Sequence, residues 1–302
     1  MLMSGTPPGP LVAVAPYTAE AMSAVSAAVG SGAPRAYLVG NRCRISDAAG
    51  RAALASPAIE ICEADDYPAA VARAADLVRK GEAEFVVKGS LPTADLLRGL
   101  LGRSALGAGR CASHIYVLEA AAFSARPVAV TDAGVNLAPS LEVKAAIVGN
   151  ACAVLRQLGV DQPRVAALSA VETVNPALPS TGDAAALAAM ASRGHLGRVR
   201  LDEPLSLDAA LTPRAARNKG LSGEVAGRAD VLLAPSLDAA NILAKALIGD
   251  HGRAMGVVVG ASVPIALPSR GDSLETRINS TMLAGFLAQR AARPVTPPMP
   301  TR

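Results

Sequence analysis

The densest collection of reactive side chains is Ser269-Arg270-Gly271-Asp272-Ser273, which puts a hydroxyl, a guanidinium and a carboxylate within one short turn. An apolar, β-branched run from Val257 to Leu267 precedes it and reads as a strand, and a helical pattern resumes from Ser273. In open α/β sheets such strand-to-helix turns carry the ligand groups, because backbone donors and short side chains converge there. Lys88-Gly89-Ser90 is a second turn of this kind, leading through Thr93-Ala94-Asp95 into a helix that carries Arg98. A helix N-terminus with a Lys and an Arg beside it suits an anion; as surface residues, Lys88 and Arg98 would be solvated charges. Asp132 follows a third strand-like run, Val128 to Val130, and Asp202 and Asp208 flank Pro204-Leu205. For each of these carboxylates alone, helix capping is the commoner use.

Other patterns lead nowhere. Gly107-Ala108-Gly109-Arg110-Cys111-Ala112 matches a dinucleotide fingerprint but follows a helical pattern rather than a strand, so no strand-to-helix turn would cradle a phosphate. No G-x-x-x-x-G-K-[ST] loop and no G-x-S-x-G elbow occurs. His114 starts a strand and reads as a structural residue; His195 and His251 sit in Gly-flanked loops. The four cysteines, Cys43, Cys62, Cys111 and Cys152, are too far apart for a zinc site or a disulfide framework and read as reduced thiols in or near the core.

The 302 residues leave room for two domains of about 150 residues each. Hydrophobic residues make up 51%, yet Phe numbers three, Tyr four and Trp none, so the core must be aliphatic. The charge of +4 comes from 29 basic and 25 acidic residues without a Lys/Arg block or interleaved aromatics, which argues against nucleic acid as partner. No stretch reaches the ~18 apolar residues of a membrane span, and the Pro-rich start lacks a basic leader, so a cytoplasmic protein without a membrane partner is expected.

Short apolar runs alternate with Ala-rich amphipathic stretches. Strands are expected at Leu11–Ala15, Ala36–Val39, Ile59–Cys62 and Phe85–Val87, with helices starting near Thr18, Ser46, Asp66 and Pro92. Further strands fall at Ile115–Leu118, Val128–Val130, Val165–Leu168, Val231–Ala234 and Met255–Val259; helices fall at Leu141–Leu158, Asp183–Ser192, Asp208–Asn218, Asp238–Ile248 and Ser273–Ala292. The alternation predicts a mostly parallel sheet covered on both faces, and a Pro-rich tail follows the last helix. A domain change is placed at the long helix from Leu141.

Several stretches together carry a family resemblance: Val165 to Asn175, Pro179 to Ala185, Asp202 to Asp208, Lys219-Gly220, Val225 to Asp230, Asn241 to Leu247, and Pro268 to Ser273. Lys88-Gly89, Ser113-His114 and Thr131 to Asn136 fit the same order upstream. From Lys88 to Ala284 the chain resembles the phosphate acetyltransferase and phosphate butyryltransferase family. The resemblance implies two α/β/α domains with mostly parallel sheets and an interdomain cleft, of isocitrate/isopropylmalate dehydrogenase-like architecture. Residues 1–138 and 259–302 would form the first domain, and 139–258 an inserted second one. It implies a homodimer that exchanges a short acyl group, butyryl or acetyl, between coenzyme A and inorganic phosphate, with no metal or bound redox cofactor. Ser269, Arg270 and Asp272 would then be catalytic, and Lys88, Arg98, Ser113, Asp132 and Asn241 would bind substrate. The acetyl branch has an Asp seven residues after the Ser; here that position is Thr276, which leaves the proton acceptor open, Asp272 and Glu275 being the nearest carboxylates. Thr276, Glu203 and Ala240 depart from the acetyl pattern and favour an acyl group larger than acetyl. The rival readings are a catalytically silent coenzyme A- or phosphate-binding homologue, and a dehydrogenase of the same architecture, which would need clustered aspartates for a metal.

Overall fold

The computed structural model describes residues 8–102, 106–107, 109–119, 126–249 and 253–292. His251, Ala108 of the fingerprint-like stretch and the Pro-rich tail lie outside the described residues. The chain begins as four β-α units: β1 (Leu11–Val14), α1 (Ala19–Gly30), β2 (Ala36–Gly40), α2 (Arg42–Arg51), β3 (Ile59–Glu63), α3 (Tyr67–Arg79), β4 (Phe85–Lys88) and α4 (Thr93–Leu101). Then follow β5 (Ser113–Glu119), β6 (Val128–Thr131), α5 (Leu141–Gln157), β7 (Arg164–Ala167), α6 (Pro179–Ser192), β8 (Arg200–Leu201), α7 (Leu207–Leu211) and α8 (Pro213–Asn218). The chain closes with β9 (Val231–Leu233), α9 (Leu237–Ile248), β10 (Arg253–Val259), β11 (Ile265–Ala266) and α10 (Leu274–Ala292).

Sequence chemistry sets half of the described helix starts. Thr18, Asn41, Asp66, Ser140 and Ser236 each accept a hydrogen bond from a backbone N–H of the first turn they precede. The pattern expected over Asp208–Asn218 breaks into α7 and α8, since Pro213 cannot donate into a continuing helix.

The eleven strands among the described residues join in one sheet, ordered β3-β2-β1-β4-β11-β10-β5-β6-β9-β7-β8. The pairings on each flank are parallel, but β10 runs antiparallel to both β11 and β5, and β5 antiparallel to β6. The strand expected to run unbroken from Val257 to Leu267 is instead a hairpin, β10 returning as the two-residue β11 alongside β4. A β-branched run across Gly260 and Pro264 looks like one strand by composition; Gly260, at φ 91°, supplies the turn. The core is mainly aliphatic, with Leu11, Leu38, Leu96, Ile115 and Ile147 fully buried alongside the aromatic Phe85. Cys62 and Cys152 lie in it, whereas Cys43 is exposed, a correction to its expected place near the core.

Candidate active site

Strand register decides which side chains share a face. Val87 pairs with Ala266, Ala266 with Val257, and Val257 with Ile115. One residue on, Lys88, Leu267, Gly256 and Tyr116 make a row; one residue back, Val86, Ile265, Val258 and His114 make another. Side chains alternate faces along a strand, so both rows project to the same side. A cleft of about 450 Å³ lies over them, walled by Lys88, His114, Tyr116 and Leu267. The start of α4 (Pro92, Thr93, Ala94) and the turn at Ser269-Arg270 form one rim; Ala133, Gly134 and α9 (Leu237, Asn241, Lys245) form the other.

The turn is locked from inside. Ser269 N–H donates to Asp272 Oδ2 at 2.7 Å while Asp272 N–H donates back to the Ser269 carbonyl at 3.2 Å. From α10, the buried Arg277 donates to the carbonyls of Arg270 (2.8 Å) and Asp272 (3.3 Å). Both guanidinium bonds end on backbone, so Arg277 fixes the turn whose Ser269 and Arg270 line the cleft. Ser273 caps α10, accepting from Thr276 N–H at 3.2 Å. Burial pushes the Asp272 carboxyl above its usual range, and the Ser269 N–H opposes that shift.

Lys88 is the unusual charge. It is 3% exposed, and among the described residues it has no ion pair, only a 3.3 Å hydrogen bond from Nζ to the Gly89 carbonyl. Burial, then Arg277 and Arg270, push its ammonium down to about 8, with Asp272 opposing. Gly89 must be glycine for close approach: a Cβ there would lie 2.3 Å from the Ala15 carbonyl oxygen and 2.5 Å from that of Val14. The helix start beside Lys88 adds to the positive field, since Pro92 provides no side-chain cap and leaves first-turn N–H groups for a ligand. Lys88, Arg270, Lys245 and that helix end converge on one cleft, an arrangement that calls for an anion.

His114, read from sequence as structural, forms part of the wall. It is 3% exposed, neither ring nitrogen has a hydrogen-bond partner among the described residues, and Tyr116 meets it edge-on with centroids 4.6 Å apart. Burial holds the imidazole neutral, pushing it down to about 4 against the pull of Asp132 and the Ala133 backbone. Two glycines make room for it: a Cβ on Gly134 would lie 2.8 Å from Nδ1, and one on Gly256 3.0 Å from Nε2. Asp132 organises the loop around it. Its Oδ1 accepts from the N–H groups of His114, Gly134 and Val135, each at 3.0 Å, and its Oδ2 from Asn136 N–H at 3.0 Å and Nδ2 at 2.6 Å. Asn241 Nδ2 reaches the Ala133 carbonyl at 3.1 Å, tying α9 to the same loop.

The family described as Phosphate acetyl/butaryl transferase matches residues 67–285. Phosphate butyryltransferase of Clostridium acetobutylicum is 39% identical over 88% of this chain and 89% of its own length. Phosphate acetyltransferase of Rhizobium meliloti is 42% identical over 76% of this chain and 73% of its own. The chain belongs to this family. Among solved structures, a branched-chain phosphotransacylase from Enterococcus faecalis superposes with TM-score 0.76 at 27% identity, over 92% of this chain and 99% of that one. A 4-hydroxythreonine-4-phosphate dehydrogenase from Klebsiella pneumoniae, TM-score 0.54 at 17% identity, over 93% of this chain and 99% of that one, shares the fold alone.

Within the phosphate acyltransferase family pattern, four of the eight expected site residues, Lys88, Ser269, Arg270 and Asn241, line one cleft. Asp272 lines the adjoining pocket with Thr276, which Lys245 links to the cleft. Asp132 acts from behind the wall. Ser113 faces the other side of the sheet, one residue out of parity with His114, and accepts from Asn150 of α5 at 2.9 Å. Arg98 pairs with Asp95 at 2.9 Å and lines a separate groove between α3 and α4. Neither lines the cleft. Glu275 is exposed and paired with Arg253 at 3.0 Å, outside the cleft lining. The motifs around Asp202, Asp208 and Lys219 meet elsewhere: Lys219 binds Glu172 (2.8 Å) and Asp208 (3.0 Å) beside a groove of about 560 Å³. The cleft lining also holds His114, read as structural, and Tyr116 and Lys245, which sequence reading did not single out; the period-2 alternation of β5 was the signal for the first two. Among the described residues no group of three or more His, Cys, Asp or Glu could hold a metal ion, so the clustered aspartates of the dehydrogenase reading are not found there.

Proposed function

We propose that the chain is a phosphate acyltransferase that moves a short acyl group, butyryl or acetyl, reversibly between coenzyme A and inorganic phosphate in the cleft between α4 and α9. The carrying observation is the convergence of Lys88 and Arg270, neither ion-paired among the described residues, beside the Ser269 hydroxyl. Phosphate must be held against a thioester carbonyl whose oxygen gains charge as the bond forms, which requires fixed cations and donors. Arg270 takes two phosphate oxygens through its planar fork, and Lys88 with the α4 N-terminus takes the rest. The Ser269 hydroxyl donates to the developing oxyanion. Leu267, Leu237 and Ala133 give the acyl chain an apolar wall. Asn241 acts by placing that wall.

The division into residues 1–138 with 259–302 and residues 139–258, the homodimer, the need for no metal or redox cofactor, and the cytoplasmic location where acyl-coenzyme A is made belong to this proposal. No helix among the described residues is long and apolar enough to cross a membrane. Release of free thiol from acetyl- and butyryl-coenzyme A, with and without phosphate, tests the function: phosphate-dependent release supports it, and binding of coenzyme A without turnover of either thioester favours the silent homologue.

A further inference from the structure

The overall reaction moves a proton. Hydrogen phosphate dianion and acyl-coenzyme A give acyl phosphate dianion and free thiol, so the hydrogen on phosphate ends on sulfur. The carboxylate that serves this purpose in the acetyl branch is absent, and Thr276 in its place is engaged by the Ser273 hydroxyl at 3.1 Å. Asp272 is committed to Ser269 N–H and lies in the adjoining pocket. We propose that Lys88 Nζ is the proton relay, giving its proton to the departing sulfur and taking the phosphate proton in return.

The geometry supplies the reason. Lys88 lines the same cleft as Ser269 and Arg270, on a strand end that cannot shift because Gly89 packs against the β1 backbone. No carboxylate among the described residues pairs with it, so its proton is not held. The groups facing it are Arg277 from α10, Arg270 and Asp272 from the turn, His114 and Tyr116 from β5, and Lys245 from α9. Burial first, then Arg277 and Arg270, bring its ammonium to about 8, where both protonation states are accessible near neutral pH. Phosphate oxygen attacks the carbonyl carbon and the carbonyl pair moves to oxygen. The intermediate collapses, the C–S bond breaks with its electrons on sulfur, and the Lys88 ammonium protonates the sulfur. The neutral amine then takes the hydrogen from the acyl phosphate. This relay rests on the phosphate acyltransferase reading above.

Lys88→Arg separates anion binding from proton transfer, because guanidinium holds phosphate but does not release a proton. The expected result is a phosphate KM near the wild type with kcat lower by about 100-fold or more. The alkaline limb of kcat/KM near pH 8 in the phosphate-to-acyl direction should also vanish. In Lys88→Ala, added primary amines should restore kcat in an order that follows their basicity, while guanidinium should not. Wild-type kcat in Lys88→Arg overturns the relay, and so does Lys88→Ala that shows a phosphate-induced rise in Tm yet ignores amines. Wild-type enzyme assayed in parallel keeps the two claims apart: an inactive wild type sinks the functional reading, an active Lys88→Arg sinks only the relay.

Discussion

Lys88 and His114 face one cleft from rows two residues apart, and burial treats them in the same sense: each is pushed toward its neutral form. For Lys88 the unfolded chain holds its proton up to the ordinary 10.5, so between about 8 and 10.5 the unfolded state binds more protons and stability rises with pH. Lys88→Met should therefore be more stable than wild type at pH 7, raising Tm by about 2 °C or more, with the gap closing as pH climbs through that window. A melting series from pH 7 to 10 reads this directly, and an unchanged gap would mean the ammonium carries no burial penalty. For His114, whose folded value is depressed to about 4 from 6.5, the stability it contributes is present above 6.5 and lost as pH falls toward 4. His114→Gln should lose less of its urea midpoint between pH 7 and 4.5 than wild type does; an equal loss would show that His114 titrates normally.

At the scale of elements, the turn between β11 and α10 depends on a residue one helical turn into α10. Arg277 holds the carbonyls of Arg270 and Asp272, so Arg277→Met should leave the fold intact but loosen the turn. Misplacing reacting groups by about 1 Å costs on the order of 100-fold, so kcat should fall tenfold to about 100-fold. Unchanged kcat with only a lowered Tm would assign Arg277 to stability alone. This turn was legible in sequence because its side chains are neighbours in the chain. The element that delivers it was not: β11 has two residues, too few to show a period, and its pairing with β4 joins residues far apart in sequence. Ser113 and His114 show the same limit. Both belong to the stretch that carries the family resemblance, but only register says which one faces the cleft, and a one-residue parity sends Ser113 to Asn150. Arg98 fails for a helical version of that reason, turned from the N-terminus of α4 toward α3 and paired with Asp95.

Across the whole molecule, the sheet changes strand direction at β10 and β5, and the cleft lies over that change. The parallel flanks follow from the β-α alternation that composition alone exposes. The antiparallel centre does not, because direction is set by which long-range strand docks, and β5 and β10 find each other across more than a hundred residues. One side of the cleft, with Lys88, Ser269 and Arg270, comes from the first and last parts of the chain; the other, with Ala133, Gly134 and α9, comes from the middle. On the proposed reading, any change in the angle between these sides would alter the distance from phosphate to thioester. The most direct measurement is release of thiol from butyryl-coenzyme A by the wild type and by Arg270→Ala, with and without phosphate. Phosphate-dependent release by the wild type, with kcat/KM for phosphate lower by about 10²- to 10³-fold in Arg270→Ala, is the expected result. Release that ignores phosphate, or an Arg270→Ala enzyme as fast as wild type, would contradict the account.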